Sequence, residues 1–176
     1  TSFYLSNVKN RIIRSQDGTR KEISTSQVNV KQLIVADSLD YYITYENDGK
    51  TTIAHIDSYG NLTVVNDGLS CGTSLAIYPD HRLLICNEPH TRWLLSYVIN
   101  EKGQPMAGQR FYWLHNTSGD DSQQVGQMCF DENGNLYVAT TMGVQICDQN
   151  GRVRAILVLP DSAPIRSLAF AGTKLY

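Results

Sequence analysis

The sequence predicts an all-β chain built as a β-propeller, and three observations carry that prediction. First, one hairpin unit recurs. Phe3-Tyr4-Leu5-Ser6, Tyr41-Tyr42-Ile43-Thr44, Leu83-Leu84-Ile85-Cys86, Leu136-Tyr137-Val138-Ala139 and Leu175-Tyr176 occupy equivalent places, 38, 42, 53 and 39 residues apart. Each interval is close to one four-stranded blade. Second, the stretch from Gln127 to Arg152 reads as three short strands joined by two tight turns, at Asp131–Gly134 and at Asn150–Gly151. Glycine supplies the positive φ such turns need, and Asn-Gly predicts a type I′ hairpin. Third, no segment sustains an apolar pattern at helical spacing, while the apolar runs carry the β-branched and aromatic residues that strands favour.

The elements follow in order. Each repeat needs an innermost strand before its hairpin, predicted at Gln32–Ala36, Ser74–Tyr78, Gln127–Phe130 and Arg166–Phe170. Third strands are predicted at Arg11–Ser15, Thr52–Asp57, Arg92–Ile99 and Val144–Asp148, and outer strands at Arg20–Ile23, Leu62–Val65, Gln109–Leu114 and Val153–Leu159. The polar inserts Glu101–Gly108 and Asn116–Gln124 lengthen one interval and are expected as loops. Alternation along the inner strands places Leu33, Val35, Leu75, Ile77, Met128, Phe130, Leu168 and Phe170 between blades. The expectation for residues 1–176 is one domain, about four blade-lengths of a larger propeller, starting and ending mid-blade.

Composition narrows the function classes. Net charge is −2, charged residues make up 18 %, and Lys and Arg are scattered, so no basic strip points to nucleic acid. No run approaches the length of a membrane span, so no membrane insertion is expected. Cys71, Cys86, Cys129 and Cys147 lack the paired spacing of a zinc site. Three of them fall inside predicted strands and read as small buried hydrophobes, while Cys71 precedes an inner strand near the channel mouth. His81 and His90 fall in turns, His55 inside a strand and His115 at a strand end, with no Ser/His/Asp or Cys/His arrangement in the spacing.

Several ordered motifs resemble the gluconolactonase/regucalcin (senescence-marker-protein) family. They run from Asp57-Ser58-Tyr59-Gly60-Asn61-Leu62, through Tyr78-Pro79-Asp80, Asn87-Glu88 and Arg92-Trp93-Leu94-Leu95-Ser96-Tyr97, to Asp131-Glu132-Asn133-Gly134-Asn135-Leu136-Tyr137-Val138-Ala139-Thr140. The resemblance covers the chain from about residue 28 onward. It implies a six-bladed propeller with one divalent metal, calcium, zinc or manganese, in its central channel. There the metal polarises the carbonyl of a sugar lactone and activates water for hydrolysis. The implied ligands sit at the start of inner strands.

This chain departs from the family at those positions. Where the family has Asp-Gly-Met, it has Gly126-Gln127-Met128; where the family has Pro-Asn-Gly, it has Gly72-Thr73-Ser74; where the family has Asn-Asp-Leu, it has Lys31-Gln32-Leu33. A hard cation needs anionic oxygen, which Gly126 and Thr73 do not offer, and the charge of Lys31 repels it. No cofactor is therefore expected from the residues present. The reading favoured by these losses is a non-catalytic binding or accessory module, with Lys31, Thr73 and Gln127 as hydrogen-bonding groups for a sugar acid or sugar lactone. The alternative is an active metal-dependent lactonase with a relocated site at Asp120 and Asp121, which lie on a polar loop before Gly126, or with ligands outside this chain.

Overall fold

The structure is a computed structural model that describes residues 2–8, 11–16, 18–24, 28–36, 40–65, 70–116, 124–159 and 165–176. Every regular element among these residues is a strand, and no helix long and apolar enough to cross a membrane is found among them. The recurring hairpin units form sheets in chain order. Strands β1 (Ser2–Val8), β2 (Arg11–Gln16) and β3 (Thr19–Ser24) make a three-stranded sheet, blade 1. Blade 2 is β4 (Asn29–Val35), β5 (Tyr41–Asn47), β6 (Lys50–Ile56) and β7 (Leu62–Val64). Blade 3 is β8 (Leu75–Ile77), β9 (Leu83–Asn87), β10 (Trp93–Ile99) and β11 (Pro105–Trp113). Blade 4 is β12 (Val125–Phe130), β13 (Leu136–Thr140), β14 (Gly143–Cys147) and β15 (Val153–Leu157), and β16 (Phe170–Ala171) with β17 (Lys174–Leu175) follows it. All pairings within these sheets are antiparallel, each strand beside its sequence neighbour. Between sheets, β1 lies beside β4, β4 beside β8 and β8 beside β12, so the first strands line up around one axis, as in a propeller.

Period-two alternation sends the two faces of each blade to different neighbours. On blade 3, Leu75, Leu84, Cys86, Leu95 and Tyr97 pack with Tyr42 and Ile53 of blade 2. The intervening Ala76, Ile85 and Leu94 pack with Met128, Leu136, Val138 and Cys147 of blade 4. Leu33 is half-buried against Val30, Tyr41 and Ile43, and Leu168 is buried against Ala139 and Val144. Phe130 and Phe170 meet Tyr78 and Tyr137 edge-on, at centroid distances of 5.1 and 5.0 Å. Val35 departs from the expected alternation. It is the last residue of β4 and 37 % exposed, because a strand terminus lacks neighbours on one side.

The hairpin turns are largely one device. Asp57, Asp131, Asp148 and Asn100 each accept backbone N–H groups two and four residues ahead on a side-chain oxygen. In each turn the glycine three residues ahead donates its N–H to the backbone carbonyl of the same residue. At Asn150–Gly151 only Gly151 has positive φ (79°), so this turn is not the predicted type I′ hairpin but a type I turn closed by a left-handed glycine. Type I′ geometry appears instead at Asp48–Gly49, where φ is 48° and 75°. Of the expected inner strand Arg166–Phe170, only the end pairs: Phe170 with Leu175, and Ala169 with Tyr176 through two backbone hydrogen bonds. Residues ahead of this end run along β12, where Gln127 N–H donates to Arg166 O at 3.1 Å.

Candidate functional site

Three of the residues singled out by sequence, Lys31, Thr73 and Gln127, share one end of the sheets. Lys31 lies near the start of β4, Thr73 just before β8 and Gln127 near the start of β12. Two of these strands carry a β-bulge there. Val30 pairs with Tyr45 and Gln32 with Thr44, which leaves Lys31 as the extra residue. Val125 pairs with Thr140 and Met128 with Val138, which leaves Gly126 and Gln127 facing one partner. Bulges at a rim break the ladder and re-aim side chains, so they suit positions that face a channel.

The segments at this end of the sheets bond to one another. The Gln32 amide donates to Leu75 O at 3.1 Å and accepts from Leu75 N–H at 2.6 Å. Thr44 Oγ1 donates to Thr73 O at 2.8 Å, and Ser74 Oγ donates to Val125 O at 3.4 Å. Blades 2, 3 and 4 are thereby stitched in succession through the segments that hold Lys31, Thr73 and Gln127. Within blade 3, the Asn87 side chain accepts from Ser74 N–H at 3.0 Å. Further out, the buried Gln145 joins blade 4 to the end of blade 3, accepting from His115 N–H at 2.8 Å and donating to His115 O at 2.9 Å.

The individual groups have defined environments. Lys31 Nζ lies 2.9 Å from Glu46, which stands across the ladder near the end of β5, and both side chains are partly exposed. Glu88, after β9, is held by Arg110 through two hydrogen bonds of 2.8 and 3.0 Å. Thr73 is exposed and Gln127 half-buried. A Cβ placed on Gly126 would lie 2.9 Å from Ile165 O and 3.0 Å from the Ala139 Cβ. A side chain at this position is therefore opposed by neighbouring chain. Asp120 and Asp121 lie outside the described residues. Among the described residues, no group of three or more His, Cys, Asp or Glu side chains is placed to hold a metal ion.

The four cysteines form no disulfide. Burial, assisted by neighbouring carboxylates, pushes the thiols of Cys129 and Cys147 up to about 11 and about 12, which suppresses their thiolates and fits the structural role read from sequence. His55 is a buried strand histidine 3.1 Å from Asp40, with its ring tilted against that of Tyr42. Tyr42 donates to Gly103 O at 2.8 Å, and burial pushes its hydroxyl up to about 12. This polar cluster ties blade 2 to the β10–β11 turn of blade 3. Sequence reading missed the clasping role of Gln32, which stands inside a motif inspected only for metal ligands.

Solved structures with the same architecture give the comparison. A calcium-binding regucalcin from Agrobacterium tumefaciens aligns with a TM-score of 0.74 at 16 % identity, covering 93 % of this chain and 59 % of that one. A gluconolactonase from Xanthomonas campestris aligns with a TM-score of 0.71 at 18 % identity, covering 92 % and 59 %. A virginiamycin B lyase from Staphylococcus aureus aligns with a TM-score of 0.62 at 12 % identity, covering 91 % and 53 %. These likenesses establish the β-propeller fold, which serves different chemistries in its members. The chain spans about three fifths of the length of the regucalcin and the gluconolactonase. No curated protein matches by sequence. Residues 34–176, most of the chain, match the family described as the SMP-30/Gluconolactonase/LRE-like region. On that match, the chain belongs to the SMP-30/gluconolactonase/LRE-like family.

Proposed function

We propose that this chain is a non-catalytic member of its family: a propeller of sugar-lactone hydrolase ancestry that works as a binding or accessory module. The observation that carries the reading is Gly126, whose missing side chain leaves space already taken by Ile165 O and the Ala139 Cβ. A carboxylate in the family's place needs the neighbouring chain to move. The other two positions support the same reading. Thr73 offers a neutral hydroxyl, and Lys31 brings a cation that is already paired with Glu46. Such donors do not fit a divalent cation, which requires anionic oxygen to offset its dehydration.

The groups left at the mouth suit a different ligand. Lys31 with Thr73 and Gln127 presents a cation and neutral hydrogen-bonding groups, complementary to the carboxylate and hydroxyls of a sugar acid. The Lys31–Glu46 pair is partly exposed, so exchanging Glu46 for a ligand carboxylate costs little.

Hydrolysis of a panel of sugar lactones, with added calcium, zinc or manganese and with a chelator, tests the reading. The expected result is no turnover above the uncatalysed rate from folded protein. Turnover that needs metal, is abolished by chelator and falls in Asp120→Asn or Asp121→Asn would establish the alternative, a lactonase with a relocated site.

A further inference from the structure

The sulfur atoms of Cys71 and Cys86 stand 2.7 Å apart. Both side chains are buried, and Tyr97 Oη lies 3.0 Å from the Cys71 sulfur. The backbone sets up this approach. Gly72 N–H donates to Asn87 O at 2.6 Å, Asn87 N–H donates to Ser74 O at 3.3 Å, and the Asn87 side chain accepts from Ser74 N–H. The segment after Cys71 is therefore docked on the end of β9, the strand that carries Cys86, before the sulfurs are considered. Cys71, buried though it is, lies at the edge of open space. It lines a groove of 610 Å³ between blades 2 and 3, whose wall includes Tyr45, Lys50, His90 and Tyr97.

We propose that Cys71 and Cys86 are a dithiol–disulfide couple, oxidised by a hydroperoxide entering through this groove. The Cys71 sulfur, as thiolate, attacks the terminal peroxide oxygen. The O–O bond breaks, the rest of the peroxide leaves as an alcohol or water, and Cys71 becomes a sulfenic acid. The Cys86 sulfur then attacks the Cys71 sulfur, the S–O bond breaks and water leaves. Two thiols lose two electrons, the peroxide gains them, and both thiol protons end on the released oxygen products. The two sulfurs are already in contact, so the second step joins neighbouring atoms. The bond fixes residues 71–74, and with them Thr73, to blade 3 at the channel mouth.

The test treats the intact folded protein with hydrogen peroxide, blocks remaining thiols with an alkylating agent, and maps peptides without reduction. The expected result is a Cys71–Cys86 linked peptide, reversed by a dithiol reductant, with Cys129 and Cys147 alkylated after unfolding as free thiols. In Cys86→Ala, Cys71 should instead accumulate as sulfenic or sulfinic acid. Finding all four cysteines as free thiols after treatment, or links that involve Cys129 or Cys147 at equal yield, would overturn the proposal. Cross-linking of wild-type protein seen only after unfolding would overturn it as well.

Discussion

The side chain of Gln32 takes both backbone groups of Leu75, a residue 43 positions away on the next blade. The amide thus does for two blades what a ladder pair does within one. It satisfies a donor and an acceptor at the first residue of β8, where the strand has just begun. Gln32→Leu keeps the side chain's bulk and removes both bonds. Denaturant unfolding should show a loss of about 1–3 kcal/mol, the usual cost of leaving buried polar groups unsatisfied. A neutral result would mean that water replaces the clasp.

The register of the inner strands is tested by two aliphatic truncations. Leu75 is fully buried between blades, and Leu75→Ala should cost about 2–5 kcal/mol. Val35 is 37 % exposed, so Val35→Ala should stay within about 0.5 kcal/mol. Equal costs at the two sites would contradict the packing described.

Gly126→Ala asks whether the closed space at the mouth matters. The added methyl meets Ile165 O and the Ala139 Cβ, so a thermal melt should show destabilisation of about 1–3 kcal/mol, typical of overpacking. Unchanged stability would show that the chain beside β12 yields freely and leaves room for a carboxylate.

The Asp57 turn predicts a pH effect. Hydrogen bonds from the Asn61 side chain and from backbone N–H groups of Asn61, Tyr59 and Gly60 hold the Asp57 carboxyl below its ordinary value of 3.8. The ionised form therefore contributes stability above that value, and the contribution is lost as pH falls through the lower folded value. Asp57→Asn should flatten this acid limb while keeping the turn, since Asn100 builds the same turn with an amide. Unfolding measured from pH 7 downward reads the difference, and an unchanged acid limb in the variant would exclude Asp57 as its source.

Much of the fold was legible because propeller blades are local. Tyr41–Thr44, Leu83–Cys86 and Leu136–Ala139 alternate within strands, and Asp-x-x-Gly turns close the hairpins between them. Turn type was less legible. Asn150–Gly151 carries the composition of a type I′ hairpin, yet Asp148 captures the backbone N–H groups of Asn150 and Arg152 and selects a type I turn instead. The candidate site was legible only as three positions, Lys31, Thr73 and Gly126, read against a family resemblance. Sequence shows Lys31 as a cation near the start of an inner strand, while its pairing with Glu46 is set by strand register and a bulge. Likewise, the S–S approach of Cys71 and Cys86 arises because the chain before β8 folds back on the end of β9. No spacing rule encodes that contact.

Calorimetric titration of the folded chain with calcium, zinc and manganese tests the central claim most directly, because binding is read without knowing a substrate. The account predicts no saturable heat for any of the three ions. One ion bound per chain with a defined affinity would contradict it, and would mean that anionic ligands have been rebuilt at the mouth despite Gly126, Thr73 and Lys31.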